Sequence, residues 1–203
     1  MKKMSLPRVQ VRAESVDATW FAPNDEDCRS LWNKYAMPKH IRAHSAHVAH
    51  IAHSIALEAA RQGMAVRPDW VRSCGLLHDI AKAYTIDHGG SHAQLGAAWI
   101  VAETGNPALA QGIMHHVHWP WELDLERYFL PLVIIYADKR VKHDRIVPLD
   151  ERFDDLLERY GRTEAICEHI RGSFVQAQHI EETIENTLGM ALHACSFDSG
   201  RLV

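Results

Sequence analysis

Cysteine is sparse and scattered in this chain. Its four cysteines, Cys28, Cys74, Cys167 and Cys195, form no CxxC pair, which excludes a zinc ribbon or a disulfide framework and fits a reducing compartment. Long apolar runs are missing as well. The most apolar stretch, residues 129–137, is far too short to cross a bilayer, and no apolar segment follows Met1-Lys2-Lys3 to make a signal peptide. The expectation is a soluble, cytoplasmic protein with no membrane partner. There is no surplus of positive charge: the net charge is -4 and the basic residues are scattered, which excludes long nucleic acid as a partner. Internal repeats, low-complexity tracts and successive strand patterns are also lacking, so the fold class expected is all-α.

What is present is a long enough chain and many histidines. Of 203 residues, 47% are apolar, sufficient for one core without disulfide staples. Fifteen histidines are several times the usual share, and their positions need explaining one by one. The boundaries expected are an irregular arm over 1–23 with a β-like stretch from Arg8 to Arg12, a main domain over 24–161, a C-terminal helix over 162–193 and a loose tail over 194–203. The C-terminal helix is expected to pack on the domain or on a second copy of the chain, as in a homodimer.

Punctuation residues divide the main domain. Asn24 is placed to cap a helix whose first turn holds Asp25, Glu26 and Asp27, where acids suit the helix dipole. A second helix opens at Pro38 and runs to about Arg61, with Gly63 as its stop. At about 100° per residue, Ile41, Val48, Ile51 and Ile55 define its apolar face. His44 falls within roughly 20° of the centre of that face, His40 and His47 about 60–80° off, and His50 and His53 nearly opposite. So His44 points inward, His40 and His47 flank, and His50 and His53 are expected in solvent. A third helix opens near Pro68 and continues through His78, Ala81 and Lys82. Ser91 caps a fourth carrying His92, and Asn106-Pro107 starts a fifth that ends at His115-His116. A sixth ends at Asp138, a seventh runs from Pro148 to Tyr160, and Thr163 caps a long amphipathic eighth.

The stretch Leu76-Leu77-His78-Asp79-Ile80-Ala81-Lys82 organises the rest. An imidazole and a carboxylate buried side by side in apolar surroundings cost several kcal/mol unless something pairs with them. A divalent cation is a suitable partner, since both side chains are metal ligands. Histidines and acids at other helix faces or ends can join them: His44, His92, His115, His116 and Asp138. Each has an ordinary alternative. His44 alone would more often be a core histidine, His115-His116 suits a helix C-terminus, and Asp138 can pair with Lys139 or Arg140. The combination favours the metal.

This order of residues resembles the HD superfamily of metal-dependent phosphohydrolases over about Pro38 to Asp138. The resemblance rests on His44 with Ser45 and Val48, the His78-Asp79 pair with Ile80 and Lys82, and the distant Asp138. The central stretch is similar to the HDIG signature, with Ala81 in place of its glycine. The resemblance implies an HD-domain helical bundle with the metal site in its core. It also implies a mononuclear ligand set of His44, His78, Asp79 and Asp138, extended to two metals by His92, His115 and His116. Val117-His118-Trp119-Pro120 stands where cyclic-dinucleotide phosphodiesterases of the superfamily carry Gly-Tyr-Pro, which disfavours that substrate. The same region departs from the Tyr-His-Thr-Thr stretch of the diadenosine tetraphosphate hydrolases.

Nitrogen and oxygen ligands without thiolate suit one or two divalent ions per chain, with iron or manganese favoured and zinc, cobalt or nickel also compatible. The activity implied is hydrolysis of a phosphoester, in a nucleotide foremost or in another small phosphorylated metabolite, by attack of a metal-bound hydroxide. Asp79 would bridge the ions, Lys82 would neutralise developing charge, and Lys139 and Arg140 would form a phosphate-holding rim. Trp119 and Trp121 could stack on a base but more often such residues pack a loop onto the core. Two other functions stay open: a dinuclear-iron oxygenase on the same scaffold, and a non-catalytic nucleotide-binding sensor.

Overall fold

The computed structural model describes residues 20–192; the expected β-like stretch and the whole of the C-terminal tail lie outside them. Helix follows helix through the described residues, interrupted by one two-stranded hairpin. The all-α expectation is met.

Helix α1 (Asp25–Lys34) starts at an Asn24 capping box, in which Asn24 accepts from the amides of Glu26 and Asp27 and its own amide donates to Asp27. This satisfies donors that a helix start leaves without partners. Helix α2 (Lys39–Arg61) is the long central element and buries Ile41, His44, Val48, Ile51 and Ile55 along one side. Helix α3 (Pro68–Leu77) lies against it so closely that a Cβ at Gly75 would come within 2.6 Å of the Ala49 Cα. α1 is tied to the end of α3 by the Trp32 indole, which donates to the Leu76 carbonyl at 2.8 Å.

α3 ends at Leu77, and a turn over His78–Ala81 leads into α4 (Lys82–His88). This corrects the expectation of one continuous helix through Lys82. In a helix, adjacent side chains point about 100° apart. The turn lets His78 and Asp79 face one pocket together, and its backbone bonds run from Ile80 to Leu77 and from Lys82 to Asp79. No glycine or proline marks the break.

Helices α5 (His92–Thr104) and α6 (Pro107–His115) pack on each other, with Gly105 left-handed between them. α7 (Leu125–Lys139) carries a kink at Tyr128, followed by Pro131, then runs apolar and buried to Asp138. The hairpin of β1 (Val141–Lys142) and β2 (Arg145–Ile146) follows at once and packs against α2. α8 (Leu149–Tyr160) and α9 (Glu164–Leu188) close that side, with Ala177, Ile180, Ile184 and Leu188 buried where α9 runs along α7 and α8. No helix among the described residues is long and apolar enough to cross a membrane.

Candidate metal centre

Five elements deliver the site. α2 supplies His44, the α3–α4 turn supplies His78 and Asp79, α5 opens on His92, α6 ends beside His116, and α7 supplies Asp138 near its end. His44, His78, Asp79, His116 and Asp138 are buried, and His92 is half-buried.

Asp79 lies at the centre, with its two oxygens facing different groups. Oδ2 is 3.5 Å from His78 Nε2 and 4.0 Å from His44 Nε2. Oδ1 is 3.4 Å from His92 Nε2 and 3.6 Å from His116 Nε2. Asp138 Oδ1 completes the first group, 3.0 Å from His44 Nε2 and 3.7 Å from His78 Nε2. Two sets of ligand atoms therefore share Asp79: His44, His78 and Asp79, and Asp79, His92 and His116. Two ligands each about 2.1 Å from a common ion stand about 3–3.5 Å apart, close to the spacings found here.

The histidine tautomers point the same way. His78 Nδ1 sits 2.8 Å from the Gly75 carbonyl and His116 Nδ1 sits 2.7 Å from the Ile113 carbonyl. A carbonyl only accepts, so each Nδ1 carries a proton, and Nε2 is the atom each ring turns to the cluster, with a lone pair for a metal when the ring is neutral. This backbone bond is the usual way a ligating histidine is held. His78 Nε2 and Asp79 Oδ1 are fully buried and have no hydrogen-bond partner. Such orphaned atoms are costly unless a cation takes their lone pairs. His92 Nε2 and His116 Nε2 face each other at 3.1 Å.

Electrostatics divide the cluster. Burial pushes His92 down to about 4 against the pull of Asp79, and burial likewise lowers His116. Both rings are neutral near pH 7, the form that binds a metal. Burial also opposes charge on Asp79 and Asp138, but nearby positive charge and hydrogen bonds outweigh it. His78, Lys82 and His116 hold Asp79 well below the usual carboxylate range, and Lys139, His44 and His78 do the same for Asp138. Lys82 Nζ is 2.7 Å from Asp79 Oδ2, and Lys139 Nζ is 2.6 Å from Asp138 Oδ2. Both lysines stand at the edge of the cluster, on ligand carboxylates.

Two expected site residues lie elsewhere. His115 does not join the cluster. Consecutive helical residues diverge by about 100°, so only one of the pair can face inward. That one is His116, while the His115 ring stands edge-on to Trp119 and Trp121 at 5.4 and 5.0 Å. Arg140 is fully buried and structural. Its Nε donates to the Val147 carbonyl at 2.7 Å, and it contacts the Tyr136 hydroxyl, the Leu192 carbonyl and Glu181. It ties the end of α7 to the chain after β2 and to α9. Trp119 packs its loop on the core, its indole donating to the Glu122 carbonyl at 3.0 Å, while Trp121 stays 48% exposed. On α2, His40 is exposed, and His50 and His53 are half-buried, contrary to the solvated positions expected for them. α3 packs closely on α2, and Arg72 of α3 and Asp25 of α1 stand near His53. A cleft of about 430 Å³ between Arg140, Leu149, Phe174 and Glu181 contains none of the cluster residues.

A helical bundle whose core holds histidines and aspartates from five elements, with the His-Asp pair at its centre, defines a class. The sequence matches the HD domain over residues 41–147, more than half the chain, and the protein belongs to the HD domain family. HD domains are generally metal-dependent phosphohydrolases that bind divalent metals. Among curated proteins, the chain is similar to Ribonuclease Y of Opitutus terrae, at 30% identity over 139 residues covering 68% of this chain and 25% of that protein. The chain thus spans about a quarter of that relative's length. No solved structure matches the chain.

Proposed function

We propose that this protein is a metal-dependent phosphohydrolase acting on a phosphoester of a nucleotide or other small phosphorylated metabolite. The observation that carries the reading is the pair of histidine sets sharing Asp79, with His78 Nε2 and Asp79 Oδ1 buried and without partners. His44, His78, Asp79 and Asp138 would hold one divalent ion, and Asp79, His92 and His116 a second. Iron or manganese is favoured by the mixed nitrogen and oxygen donors, with zinc, cobalt and nickel compatible. Such ions supply Lewis acidity and make a water nucleophile available near neutral pH.

The chain's own residues do the rest. Asp79 ties the two histidine sets together, and the carbonyls of Gly75 and Ile113 fix the rings of His78 and His116. Lys82, half-buried beside Asp79, is placed to offset negative charge that grows on a phosphoryl oxygen during cleavage. Lys139 supports Asp138 in the same way.

The relative's name supports nucleotide chemistry, so short oligoribonucleotides belong among the substrates tried. The test is a panel of phosphomonoesters, nucleotides, dinucleotides and oligoribonucleotides offered to the protein loaded in turn with iron, manganese and zinc. Turnover of at least one class that requires the metal and is lost in Asp79→Asn is expected. No metal-dependent hydrolysis of any member would overturn the reading.

A further inference from the structure

The metal cluster is nearly closed to solvent. The side chains of His44, His78, Asp79, His116 and Asp138 are each 10% exposed or less. The surface that remains lies chiefly at one edge, where His92 is 27% and Lys82 41% exposed. A nucleotide-sized phosphoester reaches ions behind such a wall only when a neighbouring element moves away. The element at that edge is α4. The chain leaves the cluster at Asp79 and returns at His92, whose Nε2 is 3.4 Å from Asp79 Oδ1. Residues 80–91 are thus an excursion between two candidate ligands. Beyond the buried turn residues Ile80 and Ala81, that excursion is lightly held. α4 has no buried residue; Ala83 packs partly against the core, and Tyr84 meets Trp99 of α5 edge-on at 5.6 Å. Among the described residues, the one side-chain hydrogen bond from α4 to another element runs from Lys82 Nζ to Asp79 Oδ2 at 2.7 Å. At the far end Gly89 and Gly90 both have positive φ, 81° and 95°, with nothing within 4 Å of an added Cβ.

We infer that α4 and the Gly89–Gly90 joint form a flap over the metal cluster, latched by Lys82 on Asp79 and lifted to admit a phosphoester. The inference rests on the phosphohydrolase reading for what enters. The two glycines make no room for a packed neighbour, unlike Gly75 against Ala49, so what they supply is backbone freedom. The latch is equally slight. Arg140 ties the end of α7 through several partners, whereas Lys82 holds α4 to the cluster through a single bond near the surface. When the flap lifts, Lys82 leaves Asp79 Oδ2 and α4 moves as a unit between two fixed points, the buried Ile80–Ala81 turn and His92. When it returns over a bound phosphoryl group, the ammonium meets the phosphoryl oxygen and water is shut out.

The test is hydrogen exchange on the full chain loaded with manganese, with saturating inorganic phosphate as the probe. The amides of Thr85 and Gly89, which donate to the Ala81 and Thr85 carbonyls, report on α4, and amides in the middle of α5 report on the bundle. Without phosphate, the α4 amides are expected to exchange about a hundredfold faster than those of α5. Phosphate is expected to slow them about fivefold or more and to leave α5 unmoved. Lys82→Ala should abolish that slowing. Lys82→Arg, which keeps a cation for Asp79 and so guards against a folding defect, should restore most of it. Tyr84→Ala, which frees α4 from Trp99, should speed α4 exchange further without loss of metal. Amides of α4 as slow as those of α5 before phosphate is added, no slowing by phosphate, or slowing that survives in Lys82→Ala would each overturn the inference. Lys82-dependent slowing without hydrolysis of any phosphoester would sustain the flap and defeat the hydrolase. Hydrolysis with α4 exchange indifferent to phosphate would do the reverse.

Discussion

Asp79 is the residue on which the two halves of the centre depend, because one carboxylate serves both histidine sets through different oxygens. Replacing it with asparagine keeps the volume and removes the charge. Asp79→Asn is therefore expected to lose both ions, whereas His92→Ala is expected to lose one and His115→Ala none. Metal analysis of the purified variants checks the series. Unchanged content in Asp79→Asn, or loss in His115→Ala, would contradict the geometry. These residues differ in how far the sequence could expose them. His44 was readable because the apolar period of α2 fixes its direction well within a long helix. His115 and His116 were not separable, since both lie at a helix end where the period stops and the direction of each ring depends on neighbours distant in sequence. Arg140 reads as a basic rim residue beside Lys139, and only the packing of α9 makes it a buried tie.

At the scale of elements, close helix packing and end chemistry account for most of the architecture. The α2–α3 contact requires a glycine. A methyl at position 75 would meet the Ala49 backbone at 2.6 Å, and backbone cannot step aside as a flexible side chain can. Gly75→Ala is expected to destabilise by about 1–3 kcal/mol through overpacking. Gly172→Ala, in α9 with nothing within 4 Å of the added methyl, is expected to stabilise by about 0.5–1 kcal/mol through helix propensity. Denaturant midpoints of the two variants should move in opposite directions, and a shared direction would refute the packing argument. The Asp25–Arg72 pair joins α1 to α3 with two bonds, at 2.7 and 2.5 Å. The bond from Arg72 is the main influence holding the Asp25 carboxyl below its ordinary value. A carboxyl depressed by folding adds stability above its unfolded value, near 3.9, and loses it as the pH falls through the folded value. Because the pair is partly exposed, the contribution is at most about 1 kcal/mol. The stability gap between the parent and Asp25→Asn should thus be open at pH 6 and close below about pH 4; a gap constant with pH would rule the pair out. The caps at Asn24, Ser91, Asn106 and Thr163 and the stop at Gly63 were legible because each has its own side-chain or backbone signature. The break after Leu77 was not, because Ala81 and its neighbours favour helix and the turn is imposed by the need of His78 and Asp79 to face one pocket.

For the whole molecule, the site is also a stability device. Buried histidines and carboxylates from five elements converge on a few ångströms, and in the absence of a cation their repulsions and orphaned lone pairs oppose the packing of α2, α5, α6 and α7 around them. Lys82 and Lys139 offset part of this from the rim, but His78 Nε2 stays without a hydrogen-bond partner. A divalent ion that binds only the folded chain raises its stability by mass action, about 2.7 kcal/mol when the free ion is at a hundred times its dissociation constant. Removing metal with a chelator is therefore expected to lower the melting temperature by several degrees. Adding back iron, manganese or zinc should restore it in proportion to affinity, and Asp79→Asn should respond to neither treatment. The same experiment separates two roles for the cluster. If chelation leaves the parent's melting curve unmoved while Asp79→Asn melts lower, the carboxylate is held by Lys82 and the histidines as a structural network, and the convergence of ligands has another cause than metal.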